Sequence, residues 1–468
     1  MKYEIGKIDL LKLGHHGYDG SNTIDYMNIL FPNYVIITAE IGGEYNQTYD
    51  FLERNQINYL CSKQDEYEVC AIIYNNEISL GFGTEGIKKV KDEIFYIPKN
   101  KIYANYLINK IPVKFKSIEK SVYNWEELKI AIEENIIKGE LDKDGNTFIA
   151  ESLKINLNIK NNNNIYNANS TILLNTLKRI QLVTKEKEII LRRDSSLIDS
   201  PLFKIEIGNF LLGEENMKGK ITVDGNKNKV ESLSHLIQLN RLSELSIYDN
   251  VTLCNNLYKI KNTTIEYGSA ILANKSKINI YGGEISNNII EIDVDKNSNE
   301  SILPENMETS YMYDVGGVGI SLICSKLYMY GGIICYNEGI NNIDISSNKN
   351  STNNNSKLYG LFQRCLGIAI LSENYSKLYL YKGEISNNYA KNNGKLYLVE
   401  PKENTITKLS QINNCIYGSA LYLLDSEFEM FDDFIIQNNS PIHNSILTIE
   451  KNCKISGNIH NSIRGGQL

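Results

Sequence analysis

Proline and tryptophan are scarce, with seven Pro and one Trp among 468 residues. A proline-rich spacer is therefore excluded. Histidine is equally sparse, at five, so a site assembled from many imidazoles has few places to sit. No apolar run approaches the roughly 18 residues that a membrane-crossing helix needs. The opening MKYEIGKIDLLKLG lacks the basic end, apolar centre and small-residue cleavage site of a signal peptide, so the chain reads as unexported, and its compartment is left open. Basic residues show no excess: 49 Lys and Arg against 56 Asp and Glu give a net charge of −7. That balance, with lysines scattered among acids along the chain, argues against a nucleic-acid partner. The eight cysteines form no CxxC pair and no dense framework, and they read as buried free thiols.

Apolar residues are present in quantity, at 42%, and the length leaves room for two to four domains. From Ile8 to Gly83 the order is apolar strand (IDLLKL), a glycine-bounded loop (GHHGYDGSN), helical spacing (TIDYMNILF), strand (YVIIT), helix (YNQTYDFLERN) and short strands (INYLC, EVCAIIY, EISLGF). Residues 1–83 are thus expected to form a small α/β unit with its loops at strand ends. Residues 84–120 read as a linker with some extended structure. In SVYNWEELKIAIEEN, Trp125, Leu128 and Ile132 recur at helical spacing behind Asn124 as cap and Glu127 three residues on.

Repetition dominates from there to the end. SELSIYDNVTLCNN (from Ser243), SKINIYGGEISNN (Ser276), SKLYMYGGIICYN (Ser325), SKLYLYKGEISNN (Ser376) and SEFEMFDDFIIQNN (Ser426) are one pattern, the last four about fifty residues apart. Glycine-opened strands precede four of them, at Gly268, Gly317, Gly367 and Gly418. Strand, break, strand, Gly turn, short strand and Asn-rich turn make each unit, and polar stretches such as SSNKNSTNNNSK read as protruding loops. Such units bury their apolar side only against the next coil, so residues 121–468 are expected to form a mainly β, parallel β-helix. Alternation sends Leu245/Ile247, Ile278/Ile280, Leu327/Met329, Leu378/Leu380 and Phe428/Met430 inward. Asn256, Asn288, Asn337, Asn388 and Asn439 then share one turn, where an amide bonds backbone and tolerates a left-handed conformation. The Trp125 helix is expected to cap the open end. The segment resembles the right-handed parallel β-helix repeats of bacterial surface proteins, of the polymorphic outer-membrane and pectate-lyase-like types.

Two candidate sites emerge. The first is the His15–His16 pair. As a bare dipeptide between glycines it reads as an exposed polar turn. In its setting of lysine-bearing strand, GHHG, polar loop, helix ending in Pro and aliphatic strand, the segment Ile8–Gly83 resembles the last metal-ligand region of metallo-β-lactamase-fold hydrolases, closest to the competence-hydrolase and phosphorylcholine-esterase branch. The resemblance implies an α/β half of that fold, zinc as cofactor, His16 as metal ligand, His15 as catalytic proton donor, and phosphoester hydrolysis. The family's upstream HxHxDH motif has no counterpart, and His235, His443 and His460 all lie in the repeats. A zinc site needs about three protein ligands, so the pair reads as one wall of a pocket, a relict or a partial site completed by a separate chain supplying the missing half. Half a fold would also leave an apolar face exposed.

The second candidate is an outward row comprising Tyr248, Tyr281, Tyr328, Tyr330, Tyr379 and Tyr381. Tyr328, Tyr330, Tyr379 and Tyr381 are its binding candidates, for a glycan or cell-surface ligand stacked on ring faces. The alternative is that tyrosine serves there as a good strand residue stacking on itself. DKDG at Asp142 reads as a hairpin turn rather than a calcium loop, and Asp432–Asp433 as a solvated turn rather than a carboxylate pair.

Overall fold

The computed structural model describes residues 8–14, 22–38, 47–55, 57–61, 69–74, 77–90, 93–102, 113–133, 139–141, 148–240, 243–261, 265–293, 310–342, 345–346, 360–392, 396–397, 412–439, 447–450, 454–457 and 463–464. The architecture is mainly β, with parallel pairing throughout the repeats.

At the amino-terminal end β1 (Leu10–Lys12), β2 (Tyr34–Ile37) and β3 (Asn58–Cys61) pair in parallel in that order, joined through α1 (Ile24–Leu30) and α2 (Gln47–Arg54). Thr23 caps α1 by accepting from the Tyr26 amide at 3.3 Å, and Phe31, directly before Pro32, ends it in a left-handed conformation. Leu13, Met27, Val35, Ile37, Phe51 and Leu52 form its core. All four residues of β2, the middle strand, are buried.

Within 84–120, expected as a linker with some extended structure, residues 84–90, 93–102 and 113–120 are strand. β4 (Val69–Tyr74), β5 (Glu77–Val90) and β6 (Glu93–Ile102) form an antiparallel meander, and β7 (Val113–Val122) already pairs in parallel with Phe148–Leu157 of the repeat stack. The lysines and glutamates of 84–120 blur the strand bounds in the sequence, because interspersed charged residues weaken the apolar signal of a period of two.

In α3 (Trp125–Glu133) the cap is reciprocal: the Glu127 amide donates to Asn124 Oδ1 at 2.8 Å, and Glu127 Oε2 accepts from the Tyr123 amide at 2.9 Å. Trp125, Leu128, Ala131 and Ile132 join the core of the stack, with Trp125 packed on Phe203 at 5.3 Å. Gly139–Leu141 pairs antiparallel with Phe148–Ala150, as a hairpin around DKDG requires; the turn itself lies outside the described residues.

Successive coils then stack in a β-helix-like arrangement with three ladders. The first runs Ile172, Phe203, Ile237, Ile271, Ile320, Ile370, Leu421 and Leu447. The second runs Leu245, Ile278, Leu327, Leu378 and Phe428, with Ile247, Ile280, Met329, Leu380 and Met430 beside them, all buried as the alternation predicts. The third runs Tyr166, Leu191, Val223, Leu253, Ile285, Ile334, Ile385 and Ile436. One continuous core extends from Val122 to Ile436. Burying each Leu or Ile contributes on the order of 2 kcal/mol, and a coil realises that gain only when both neighbours are in place.

Corners are built from strained backbone and buried polar side chains. Asn288, Asn337, Asn388 and Asn439 are fully buried, and their amides form a ladder: the Asn288, Asn337 and Asn388 Nδ2 groups donate to the next Oδ1 at 3.0, 3.0 and 2.9 Å. The left-handed residues at this corner are instead the ones just before, Asn255, Asn287, Tyr336, Asn387 and Asn438, each with φ of 54–59°. The ladder asparagines follow them, with their side chains turned inward to bond backbone carbonyls. A serine corner repeats the device: the Ser276 and Ser325 amides donate to Ser325 Oγ and Ser376 Oγ at 3.1 and 2.9 Å, behind left-handed Lys275, Cys324 and Tyr375. Glycine is required where a coil opens. At Gly367 (φ +50°) a Cβ would lie 2.2 Å from the Ile370 carbonyl oxygen.

Between the Asn corner and the next coil the chain departs and returns as strands, not merely as loop. Leu257–Lys261, Ile289–Asp293, Glu338–Asn341 and Tyr389–Asn392 form one four-stranded parallel sheet; Ile265–Tyr267, Ser310–Gly316, Gly360–Leu366 and Ile412–Tyr417 form another lying against it. Among the described residues, Arg54 Nη2 of the amino-terminal unit donates to the Tyr375 hydroxyl at 3.1 Å, and Lys275 Nζ at the serine corner donates to the Tyr59 hydroxyl.

Candidate functional site

The GHHG loop leaves the carboxy end of β1. Its base is closed by the buried Asn22, whose Oδ1 accepts from the Gly14 amide at 3.0 Å while Nδ2 donates to the Gly14 carbonyl at 2.8 Å. Thr48 Oγ1 on α2 fixes Asn22 in turn, bonding its carbonyl at 3.1 Å. His15 and His16 lie outside the described residues. Among the described residues no group of three His, Cys, Asp or Glu side chains is placed to hold a metal ion, so the residues on view make no zinc site.

His235 belongs to the interior. It is buried, its Nδ1 proton bonds the Gly268 carbonyl, its ring meets Tyr258 edge-on at 5.2 Å, and burial pushes its pKa down to about 4. Beside it the Arg193 guanidinium, with burial lowering its pKa to about 9, donates to the carbonyls of Leu197, Ser200 and His235 at 2.9, 2.7 and 2.6 Å. These groups hold the segment 197–201 against the coil. Cys254 and Cys335 are buried free thiols whose pKa values burial pushes up to about 12. His443, His460 and the Asp432 side chain lie outside the described residues; Asp433 is exposed.

The second ladder's outer surface is where the tyrosines come together. Tyr248, Tyr281, Tyr330 and Tyr381 form one column, and Phe431 completes it; successive centroids are 4.9, 5.3, 5.0 and 4.6 Å apart with interplanar angles of 3–23°. Tyr328 and Tyr379 form a parallel pair at 4.9 Å, and Tyr328 also lies 6.3 Å from Tyr330. The cause is register: residues at one repeat position face each other across parallel strands about 4.8 Å apart. Ring faces are therefore taken by neighbouring rings, and what the column offers outward is ring edges and hydroxyl groups. Tyr281 and Tyr330 are 43% and 41% exposed. Burial raises the Tyr328, Tyr379 and Tyr381 phenols above their usual range, so they stay protonated donors at neutral pH.

Beside the rings runs a charged row that the linear sequence concealed. Glu244, Lys277, Lys326, Lys377 and Glu427 are consecutive rungs. Lys277 pairs with Glu244 at 3.0 Å and Lys377 with Glu427 at 3.1 Å. Lys277 Nζ also lies 5.5 Å from the Tyr328 ring centroid. The signal available was the Ser-Lys dipeptide opening three repeats, and Phe431 was legible as the counterpart of Tyr381.

Comparison with protein families, with curated proteins and with solved structures finds no match to this chain. What the surface does is therefore argued from its own geometry.

Proposed function

We propose that residues 121–468 form a right-handed parallel β-helix that works as a binding module, with its tyrosine-lined face contacting an extended glycan or cell-surface ligand through Tyr328, Tyr330, Tyr379 and Tyr381. One observation carries this reading: a column of five aromatic rings held outward over five consecutive coils. An elongated ligand running along the axis meets a repeated set of ring edges and phenol hydroxyls, an apolar strip with hydrogen-bonding handles suited to a sugar chain. The test is binding of the whole chain to an array of immobilised oligosaccharides. Replacing the four tyrosines together with Ser should abolish the signal while leaving the fold intact by circular dichroism. Undiminished binding by that variant would overturn the assignment.

A second reading concerns residues 1–83 as the carboxy-terminal part of a metallo-β-lactamase-fold hydrolase, with zinc on His16, His15 as proton donor and the rest of the site from a separate chain. It is favoured by the parallel β1–α1–β2–α2–β3 order and by a histidine loop at a strand's carboxy end, closed by Asn22. Zinc content of the purified chain and its activity on bis(p-nitrophenyl) phosphate test this reading. Stoichiometric zinc lost in His16→Ala would support it; only trace zinc, unchanged in His16→Ala, with no hydrolysis, would remove it for this polypeptide.

A further inference from the structure

Three lysines in register on adjacent parallel strands repel one another, an arrangement that costs stability unless something compensates it. At the ends of this row Glu244 and Glu427 do so, each paired with the nearest lysine. The central Lys326 has no such partner: among the described residues no acid forms an ion pair with it, and Lys277 and Lys377 stand on either side. It is half-buried and lies two residues before Tyr328 on the same outward face of its strand, and Tyr328 stacks on Tyr379 of the next coil. With Glu429, which stands in register with Tyr379, three lysines face three glutamates on this surface, and Lys326 is the cation of the row that has lysines rather than an acid on both sides.

We propose that Lys326, with Lys277 and Lys377 flanking it and Tyr328 and Tyr379 beside it, is a subsite for a single anionic group, a sulfate ester or carboxylate, carried by the glycan on the tyrosine face. The inference rests on the reading of that face as a glycan surface and names the ligand's charge. The ammonium group gives a charge-assisted hydrogen bond to the anion's oxygens, and the phenol groups add neutral donors. A lysine row bounded by acids favours a chain with isolated acidic groups over a densely charged polyanion, whose further charges would meet Glu244, Glu427 and Glu429. It also disfavours a second copy of this chain: a twofold placed at Lys326 would set lysine row against lysine row.

The experiment uses the full chain with a neutral oligosaccharide and its monosulfated counterpart immobilised side by side, together with the NMR signal of isotopically methylated Lys326 followed during titration with inorganic sulfate. The charged sugar should bind about tenfold more tightly, as one charge-assisted hydrogen bond allows. Lys326→Met should erase the difference but keep neutral binding, and Lys326→Arg should retain it. A lysine kept for structure would lower the melting temperature when replaced by Met; relief of like-charge crowding predicts no loss. Equal binding of the two sugars, with no response of Lys326 to sulfate, overturns the anion subsite and leaves the glycan reading standing. Binding of neither sugar with a clear response of Lys326 to sulfate supports the subsite and overturns the glycan reading. No response in either measurement overturns both.

Discussion

Asn337→Ala tests whether the buried amide ladder holds the coils together. The Asn337 Oδ1 accepts from the Asn288 amide at 3.2 Å and from Asn288 Nδ2 at 3.0 Å, while its own Nδ2 donates to the Ile285 carbonyl and to Asn388 Oδ1, both at 3.0 Å. Truncation leaves the Asn288 amide without an acceptor in a fully buried corner and removes a donor from two buried oxygens. An orphaned buried group costs about 1–3 kcal/mol and each of the three further lost bonds about 1 kcal/mol, so the change should cost about 4–6 kcal/mol. A surface Asn→Ala change costs under about 0.5 kcal/mol. Because each coil touches only its neighbours, the loss should be local. Hydrogen exchange read by mass spectrometry should show lost protection at residues 285–290 and 333–341, while fluorescence of Trp125, at the far end of the core, should report an unchanged transition. A cost below about 1 kcal/mol with the Asn288 amide still protected would refute the reasoning, since it would mean that water replaces the amide at no loss.

Gly367→Ala should destabilise by at least about 2 kcal/mol in urea unfolding, because the added Cβ meets the Ile370 carbonyl at 2.2 Å and the backbone is left-handed; a neutral result would show that the coil opening can shift. His235 stays uncharged in the folded state down to about pH 4 while an unfolded imidazole protonates near 6.5, so its contribution is whole above pH 6.5 and is lost as pH falls towards 4, by about 3 kcal/mol in all. The stability gap between the parent chain and His235→Gln should narrow over that interval, and a constant gap would contradict the assignment. Cys254 and Cys335 should resist iodoacetamide at pH 8 in the native chain and react on unfolding, read site by site by mass spectrometry. Rapid native labelling of either would show that its coil opens.

The repeat pattern carried the stack because strand alternation and coil period are local properties. Leu327 and Met329 point inward and Tyr328 and Tyr330 outward whatever their neighbours do, and the Asn124–Glu127 cap is complete within the five residues from Tyr123 to Glu127. Extended structure within 84–120 is legible in the sequence but its strand bounds are not, because charged side chains blur a period of two, and the left-handed residue of the Asn corner stands one position before the expected one because Asn favours both roles. Of the two candidate sites, the histidine loop is legible in its residues but lies outside the described structure, whereas the tyrosine face is legible only in part.

Sequence alone determined which residues face out, since alternation along one strand settles that. Tertiary structure decided what those residues meet. Register across coils turned the ring faces onto one another, and it brought Lys277, Lys326 and Lys377, some fifty residues apart along the chain, into one row about 4.8 Å per step. Charge that looks evenly mixed along the chain is concentrated by stacking, because a solenoid places equal repeat positions side by side and leaves their distance in sequence without effect.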